Sequence, residues 1–209
     1  VADDDGAAAM ATAEAYVAGV GVHDGVLQIV GTARRDVIRV RPASGGRLRV
    51  SAGFLPGRHV FFPEAGIVEI RAFLGDGDDE IRIDTRGRQP VTVWCGRGDD
   101  FAEVSEGPAT LYGEEGDDDL FGGRDADRLY GGAGNDVLLG RGGDDMLSGG
   151  DSADILLAGR GDDTLQGGPG EDWMFGGPGD DTFLDEPAWT PGWGWCSLWS
   201  VWGGCWASL

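Results

Sequence analysis

The amino-acid sequence predicts an all-β protein, a β-solenoid in which short strands are stacked by tight turns. Three observations support this fold class: 40 of the 209 residues are glycine, aspartates recur at a fixed spacing, and a nine-residue unit repeats without insertion from residue 113 to residue 184. Glycine at this level, without the three-residue period of collagen, indicates a repeat of tight turns. The nine-residue unit therefore defines the architecture.

Each unit has an aspartate at its sixth position and a large apolar residue at its eighth. The first six positions are rich in turn-forming residues, and the last three form a minimal strand whose middle side chain points inward. The inward side chains are Leu120, Leu129, Leu138, Leu147, Leu156, Leu165, Met174 and Phe183. Stacking of such strands buries one apolar residue per unit, which predicts a narrow core.

The sixth-position aspartates predict metal sites in the turns. Glycine at positions one, two and four permits positive φ and close approach of neighbouring backbones, so that carbonyl oxygens can converge on the carboxylate. Hard oxygen donors in a flexible cage suit Ca²⁺ better than Mg²⁺ or Zn²⁺. The candidate ligands are Asp118, Asp127, Asp136, Asp145, Asp154, Asp163, Asp172 and Asp181.

This pattern resembles the repeats-in-toxin (RTX) nonapeptide family, with consensus GGxGxDxUx. The resemblance implies a right-handed parallel β-roll in which two nonapeptides form one turn and calcium ions lie between loops one turn apart. It further implies two edges, one with Asp118, Asp136, Asp154 and Asp172 and the other with Asp127, Asp145, Asp163 and Asp181. Some units depart from the consensus, and we expect weaker or empty sites beside Glu114, Asp125, Arg141, Ser152 and Ala158.

The pattern decays gradually towards the N-terminus. The unit from Cys95 retains Asp100, and the unit from Leu74 retains Asp79 after a shift of three residues that a bulge before Cys95 would accommodate. We add Asp79 and Asp100 to the candidate calcium ligands. The unit from Val104 has Ala109 at position six and should lack an ion.

Residues 26–112 are interpreted as a degenerate solenoid with few calcium motifs. Between residues 26 and 73 short β-rich runs recur, and the unit from Gly31 has Asp36 and Ile38 at repeat positions. A separate small sandwich is the alternative. The strand spacing merges into the repeat spacing without a linker, which favours one continuous solenoid.

The two ends of the chain differ in composition from the repeats. Residues 1–25 place three aspartates before a run of helix-forming residues, and they either cap the first coil or form a flexible leader. Residues 185–209 contain six tryptophans and either cap the last coil or adhere to another molecule. Cys196 and Cys205 are close enough in sequence to form a disulfide outside the cell, which would leave Cys95 unpaired.

Positions seven and nine of alternate units predict two outer faces of different chemistry. One face is mostly polar, whereas the other carries Phe121, Val137, Leu139, Ile155, Leu157, Trp173 and Phe175. A soluble monomer rarely exposes an apolar strip four strands long. We therefore expect the tail, the N-terminal segment or a second subunit to cover this face.

The composition also disfavours several functional classes. A formal charge of −21 repels nucleic acid and anionic membranes, and the sequence has no apolar run that could span a membrane. We find no HExxH, GxSxG or phosphate-loop motif, and His23 and His59 are isolated in sequence, so we do not expect an enzyme.

We expect a secreted bacterial protein that binds several Ca²⁺ ions, folds outside the cell and self-associates through its apolar face or its ends into a filament, surface layer or matrix. The start at Val1 rather than methionine is expected if a leader or tag has been removed. One alternative is a stand-alone RTX folding and secretion module detached from an enzyme or adhesin. A weaker alternative is a β-helix enzyme that acts on polysaccharides.

Overall fold

Two long β-sheets enclose one narrow core. A computed structural model describes residues 19–86, 89–184 and 205–206 of the chain. Sheet A contains, from one end to the other, β1 (Gly19–His23), β2 (Val26–Val30), β6 (Glu69–Asp76), β8 (Val91–Arg97), β10 (Ala109–Glu115), β12 (Arg128–Ala133), β14 (Met146–Asp151), β16 (Thr164–Gln166) and β18 (Thr182–Phe183).

From β6 to β18 the strands alternate along the chain between sheet A and sheet B. From one end to the other, sheet B contains β5 (His59–Pro63), β4 (Arg47–Ser51), β3 (Val37–Ala43), β7 (Glu80–Ile83), β9 (Phe101–Val104), β11 (Asp119–Phe121), β13 (Val137–Gly142), β15 (Ile155–Arg160), β17 (Trp173–Phe175) and β19 (Cys205–Trp206). Each coil contributes one strand to each sheet, and strands of successive coils pair in parallel. The fold class predicted from the repeat, a parallel β-solenoid, is confirmed.

The core contains one apolar side chain from each strand of the repeats. Leu120 pairs with Leu138, and Leu129 with Leu147, so identical side chains stack directly above one another. These four leucines are fully buried. A strand of three residues can bury only its middle side chain, because its neighbours point to the other face.

The N-terminal strands continue the same two sheets. β2 pairs in parallel with β6, and β3 pairs in parallel with β7, so the first coil lies in register with the repeats. Two runs expected to be further solenoid strands, β4 and β5, instead form an antiparallel extension beside β3. β1 likewise pairs antiparallel with β2. These antiparallel strands cover the outer edges of the first coil, which would otherwise be open to pairing with another chain.

The three-residue bulge predicted before Cys95 is present. Gly75 lies opposite Gly96, an offset of 21 residues, whereas Gly96 lies opposite Glu114, an offset of 18. The extra residues lie in the connection between β7 and β8.

A stack of aromatic rings runs along the outer face of sheet A. Phe73, Trp94, Tyr112 and Tyr130 occupy matching positions in four successive coils. Their ring centroids are 4.5, 5.7 and 5.0 Å apart, and their planes are parallel within 11°. Stacked aromatic pairs stabilise by about 0.5–1.5 kcal/mol each beyond the area that they bury.

A chain of ion pairs crosses the outer face of sheet B. Arg82 donates to Glu80 at 2.9 Å and to Glu103 at 2.6 Å, and Arg141 donates to Glu103 at 2.7 Å. The Arg82 guanidinium also lies 4.2 Å from the ring centroid of Phe101. These contacts connect coils of the N-terminal half and the first repeats laterally.

Further along sheet B the outer face is apolar and open. Ile155, Leu157, Trp173 and Phe175 are 41%, 37%, 61% and 47% exposed. The N-terminal segment and most of the tail, which we expected to cover this face, lie outside the described residues, although β19 extends the edge of sheet B beside β17.

Other expectations about the ends fall largely outside the described residues. Cys95 is a free, buried cysteine, as expected, whereas Cys196 lies outside the described residues. The same holds for residues 1–18 and for most of the tryptophan-rich tail. Within the described part of the chain, none of the helices has the length and apolar character needed to cross a bilayer.

Candidate metal centre

Two columns of aspartates, all buried except the half-buried Asp181, run along the two edges of the solenoid. Edge 1 is formed by the loops that lead from sheet A to sheet B, and it carries Asp36, Asp79, Asp100, Asp118, Asp136, Asp154 and Asp172. Edge 2 is formed by the loops that lead back, and it carries Asp127, Asp145, Asp163 and Asp181. All ten predicted site residues lie in these columns, together with Asp36.

Backbone hydrogen bonds hold each column in register. From Asp36 to Asp154 on edge 1 and from Asp127 to Asp163 on edge 2, the N–H of each aspartate donates to the Oδ1 atom of the next aspartate of the column, one coil further along the chain. The distance is 2.8 Å from Asp100 to Asp118, from Asp118 to Asp136 and from Asp136 to Asp154. On edge 2 it is 2.8 Å from Asp127 to Asp145. Oδ1 therefore already accepts one donor from the fold, so Oδ2 has the larger remaining capacity for a ligand.

Seven of the Oδ2 atoms are buried among the described residues and accept no hydrogen bond there. They belong to Asp79, Asp100, Asp118, Asp136, Asp145, Asp154 and Asp163. These residues are at most 3% exposed. A buried carboxylate oxygen without a donor is costly unless a cation balances it. The arrangement therefore fits a bound metal ion.

Glycine leaves open the space beside these oxygens. A Cβ atom added to Gly131 would collide with Oδ2 of Asp136 and with the carbonyl oxygen of Gly149 in the next coil. The same two kinds of oxygen meet beside Gly113 and Gly140. A carboxylate and a carbonyl from successive coils thus converge on one point. In the earlier units position one carries a buried Leu74 or Cys95 instead.

The ligand set must include backbone oxygens. Among the described residues, no three side chains of His, Cys, Asp or Glu gather closely enough to hold an ion by themselves. Calcium accepts such mixed sets of carboxylate and carbonyl oxygens, whereas zinc prefers nitrogen and sulfur.

Comparison with known families identifies the repeats. The family model of the RTX calcium-binding nonapeptide repeat matches four times, at residues 95–129, 112–147, 121–156 and 148–183. Residues 95–183 therefore contain RTX nonapeptide repeats. Comparison with curated proteins and with solved structures gave no match. RTX repeats bind calcium in a structural fold that is not itself catalytic, and they are typical of secreted bacterial proteins.

Three RTX loops keep a left-handed turn residue where glycine is replaced. Glu114 and Arg141 at position two have φ of 79° and 76°, and Ser152 at position four has φ of 85°. A left-handed conformation costs a residue with a Cβ atom roughly 1–2 kcal/mol. For Arg141 the ion pair with Glu103 and a hydrogen bond to the Gly122 carbonyl oxygen offset part of this cost. Whether the neighbouring sites bind calcium more weakly stays a prediction.

Burial raises the pKa of eight aspartates of the two columns above the ordinary value. Desolvation is the largest cause, the backbone donor to Oδ1 opposes it, and neighbouring carboxylates add to it. The pKa rises to about 8 for Asp100 and to about 7 for Asp118, Asp145 and Asp154. For Asp79, Asp127 and Asp136 it rises to about 6. Without a cation, these columns take up protons near neutral pH.

A second row of polar residues lies outside the buried column, at position five. Oδ1 of Asp117 accepts the N–H of Asn135, and Oδ1 of Asp99 accepts the N–H of Asp117. These side chains are exposed. They follow the same register as the buried column and therefore offer matched control positions.

Sequence reasoning left Asp36 out of the candidate site. The N–H of Asp36 donates to Oδ1 of Asp79 at 2.6 Å, so Asp36 forms the first rung of edge 1. The signal was present, because Gly31, Asp36 and Ile38 occupy positions one, six and eight of a unit. The absence of glycine at positions two and four concealed it.

Proposed function

We propose that the chain is a calcium-folded structural solenoid that acts outside the cell. Calcium ions would be held by carboxylates of the two columns together with carbonyl oxygens of the adjacent loops. The observation that carries this proposal is the series of seven buried Oδ2 atoms without a donor. The proposed ligands are Asp79, Asp100, Asp118, Asp136, Asp145, Asp154, Asp163, Asp172 and Asp181.

Calcium would couple binding to folding. The aspartates of one column repeat in every coil, so their ionised carboxylates repel one another when they are brought into register. A divalent cation supplies the opposite charge, and its binding free energy is available only to the folded chain. Because each repeat buries a single apolar side chain, the core alone gives little compensation for ordering nine residues. We therefore expect the RTX segment to be ordered with calcium and largely unfolded at neutral pH without it.

Circular dichroism of the full chain, freed of metal on a chelating resin and then titrated with calcium at pH 7.5, tests this coupling. We expect a cooperative gain of β-signal on addition of calcium. Asp136→Ala and Asp154→Ala should shift the midpoint to higher calcium, because each removes a buried carboxylate. Asp117→Ala is the matched control, since it removes an exposed carboxylate adjacent to the column. A chain with its complete β-signal in the absence of calcium would refute the coupling.

An extracellular location agrees with this calcium dependence. RTX repeats are typical of secreted bacterial proteins. Calcium is scarce in the cytosol and plentiful outside the cell, so the chain could stay unfolded during export and fold afterwards. We propose a structural role rather than catalysis, since the matched repeats form a calcium-binding scaffold.

We further propose that the folded protein self-associates. The exposed residues of the apolar face, Ile155, Leu157, Trp173 and Phe175, lie on two adjacent strands near the C-terminal end of sheet B. The whole four-strand face measures roughly 19 Å by 10 Å, or about 200 Å², from ordinary strand spacings. A stable interface needs about 800 Å² per partner. The face alone is therefore too small, and the contact would have to include further surface, such as the strand edges that the antiparallel strands leave unpaired.

Sedimentation velocity in millimolar calcium distinguishes assembly from a monomeric module. Assembly predicts species that grow with protein concentration. A single species at the monomer mass over a hundredfold range of concentration would favour the stand-alone module instead.

A further inference from the structure

Two loops hold their aspartate differently from the seven loops whose Oδ2 atom is buried and accepts no hydrogen bond. In the loop that ends at Asp127, Oδ1 accepts the N–H of Ala109 at 2.7 Å and Oδ2 accepts the N–H of Gly123 at 2.6 Å. In the loop that ends at Asp36, Oδ2 accepts the N–H of Thr32 at 2.6 Å. The donor is in both cases the residue at position two of the same loop. We call these two loops closed, because a backbone N–H donates to the Oδ2 atom that accepts no hydrogen bond in those seven loops.

The backbone at position two separates the closed loops from the others. Neither Thr32 nor Gly123 has positive φ. In the other aspartate-bearing loops among the described residues, position two has φ between 76° and 120°. These residues are Gly75, Gly96, Glu114, Gly132, Arg141, Gly150, Gly159, Gly168 and Gly177. The sign of φ at position two therefore separates the two closed loops from every other aspartate-bearing loop among the described residues, including the two loops in which position two is Glu114 or Arg141.

The sequence explains why these two loops close. Thr32 is β-branched, and positive φ is strongly disfavoured for such a residue. Gly123 is free to adopt either conformation, but Asp125 replaces glycine at position four of its loop. The carboxylate of Asp125 accepts the N–H of Gly107 in the previous coil at 2.9 Å. This contact holds the loop in a conformation in which position two, Gly123, does not have positive φ.

An N–H donor and a cation cannot both occupy the same lone pair of one carboxylate oxygen. The hydrogen of the N–H carries partial positive charge and already satisfies the oxygen, so an ion there would have to break a charge-assisted hydrogen bond. A hydrogen bond to a carboxylate contributes roughly twice as much as one between neutral groups. The closed loops therefore satisfy their aspartates without metal.

Both closed loops stand at the start of a column. Asp36 is the first rung of edge 1, and Asp127 is the first rung of edge 2 because the preceding loop has Ala109 at position six. A first rung has no carboxylate on its N-terminal side.

We propose that Asp36 and Asp127 are metal-free starting rungs, which position the first open loop of each edge without binding calcium themselves. This inference rests on the proposed calcium function. It assigns Asp127 a positioning role, although its repeat position is that of a ligand. The calcium columns then begin at Asp79 on edge 1 and at Asp145 on edge 2.

Calcium counts on the full chain test this assignment. The number of ions bound at saturating calcium is measured by native mass spectrometry for the wild type, Asp127→Asn and Asp145→Asn. Each variant removes one negative charge, and the two substituted residues are adjacent rungs of the same column. Each variant is therefore the control for the other. We expect Asp145→Asn to lose at least one ion and Asp127→Asn to lose none. Equal counts in the two variants would overturn the proposal.

Amide hydrogen exchange on the calcium-loaded wild type gives a readout that needs no variant to fold. We expect the Gly123 amide to be as strongly protected as the Ala109 amide, because both donate to Asp127. A Gly123 amide that exchanges at least a hundredfold faster than that of Ala109 would mean that the ion displaces it, and would refute the closed loop. A wild type that binds no calcium would refute the proposed function itself, which is a different outcome from two variants with equal losses.

Discussion

Acidification should have opposite effects on the metal-free and the calcium-loaded protein. In the metal-free protein the folded-state pKa of Asp118, Asp145 and Asp154 is about 7, whereas an unfolded aspartate has a pKa of about 3.9. The folded state therefore binds protons more tightly than the unfolded state. Stability from these groups is complete below pH 4 and is lost as the pH rises through about 7. With calcium the sign reverses, because the ion binds the ionised carboxylate and protons compete with it.

The magnitude follows from proton linkage. A single carboxylate whose pKa moves from about 3.9 to about 7 on folding stabilises the folded state by about 2 kcal/mol more at pH 5 than at pH 7. Neighbouring protons in one column interact, so the total for the chain is smaller than the sum over groups. The stabilisation from only two such carboxylates would still be a large fraction of the 5–15 kcal/mol that is the typical free energy of unfolding of a folded domain.

The assay is urea denaturation followed by circular dichroism at pH 5, 6, 7 and 8, on metal-free protein and on protein in millimolar calcium. We expect the unfolding midpoint of the metal-free protein to fall as the pH rises, and that of the loaded protein to rise. Asp118→Asn should flatten the metal-free profile, because the amide does not titrate, whereas the exposed control Asp117→Asn should change it much less, because burial contributes more to the pKa of Asp118 than the neighbouring Asp117 charge does. A metal-free midpoint that rises between pH 5 and pH 8 would refute this reasoning.

Two further predictions concern the outer faces. Trp94→Ala should destabilise the protein by about 2–3 kcal/mol in urea denaturation, both with and without calcium, because it removes two ring stacks. Trp94→Phe should restore most of the lost stability. A loss of stability seen only in calcium would contradict the expectation that the stack stabilises the fold independently of the metal. Leu139→Glu combined with Leu157→Glu should lower the sedimentation coefficient of any assembly and leave the calcium midpoint unchanged, whereas the same changes at Thr164 and Gln166 on the other face should do neither. Unaltered assembly in the first pair would remove the apolar face from the contact.

The repeated part of the fold was predictable because one local rule applies in every unit. Aspartate at position six and leucine at position eight determine the loop and the inward side chain, and the structure repeats both from Leu120 to Leu165. The bulge before Cys95 was predictable because the nine-residue pattern is recognisable both before it, in the unit from Leu74, and after it, in the unit from Cys95. The antiparallel strands β4 and β5 were not, because a β-rich run carries no signal for the direction of its partner.

The loop conformations are a different case, because they depend on residues in other coils. Asp125 and Ser152 both replace glycine at position four, and the sequence alone treats them alike. In the structure Ser152 keeps the left-handed turn, whereas Asp125 contacts Gly107 one coil earlier and its loop closes. A contact across coils decides between the two, and the nine-residue pattern does not contain it.

The same reasoning suggests that calcium dependence is graded along the solenoid. Coils up to Tyr130 are connected by the aromatic stack on sheet A, and those up to Arg141 by the ion pairs on sheet B. Neither set of contacts uses the carboxylates of the columns. Beyond Arg141 the coils keep a single leucine or methionine per strand and a carboxylate at both edges. Since folding of a solenoid propagates between neighbouring coils, an N-terminal half that depends less on calcium would offer the template on which each later calcium-bound coil is added in turn.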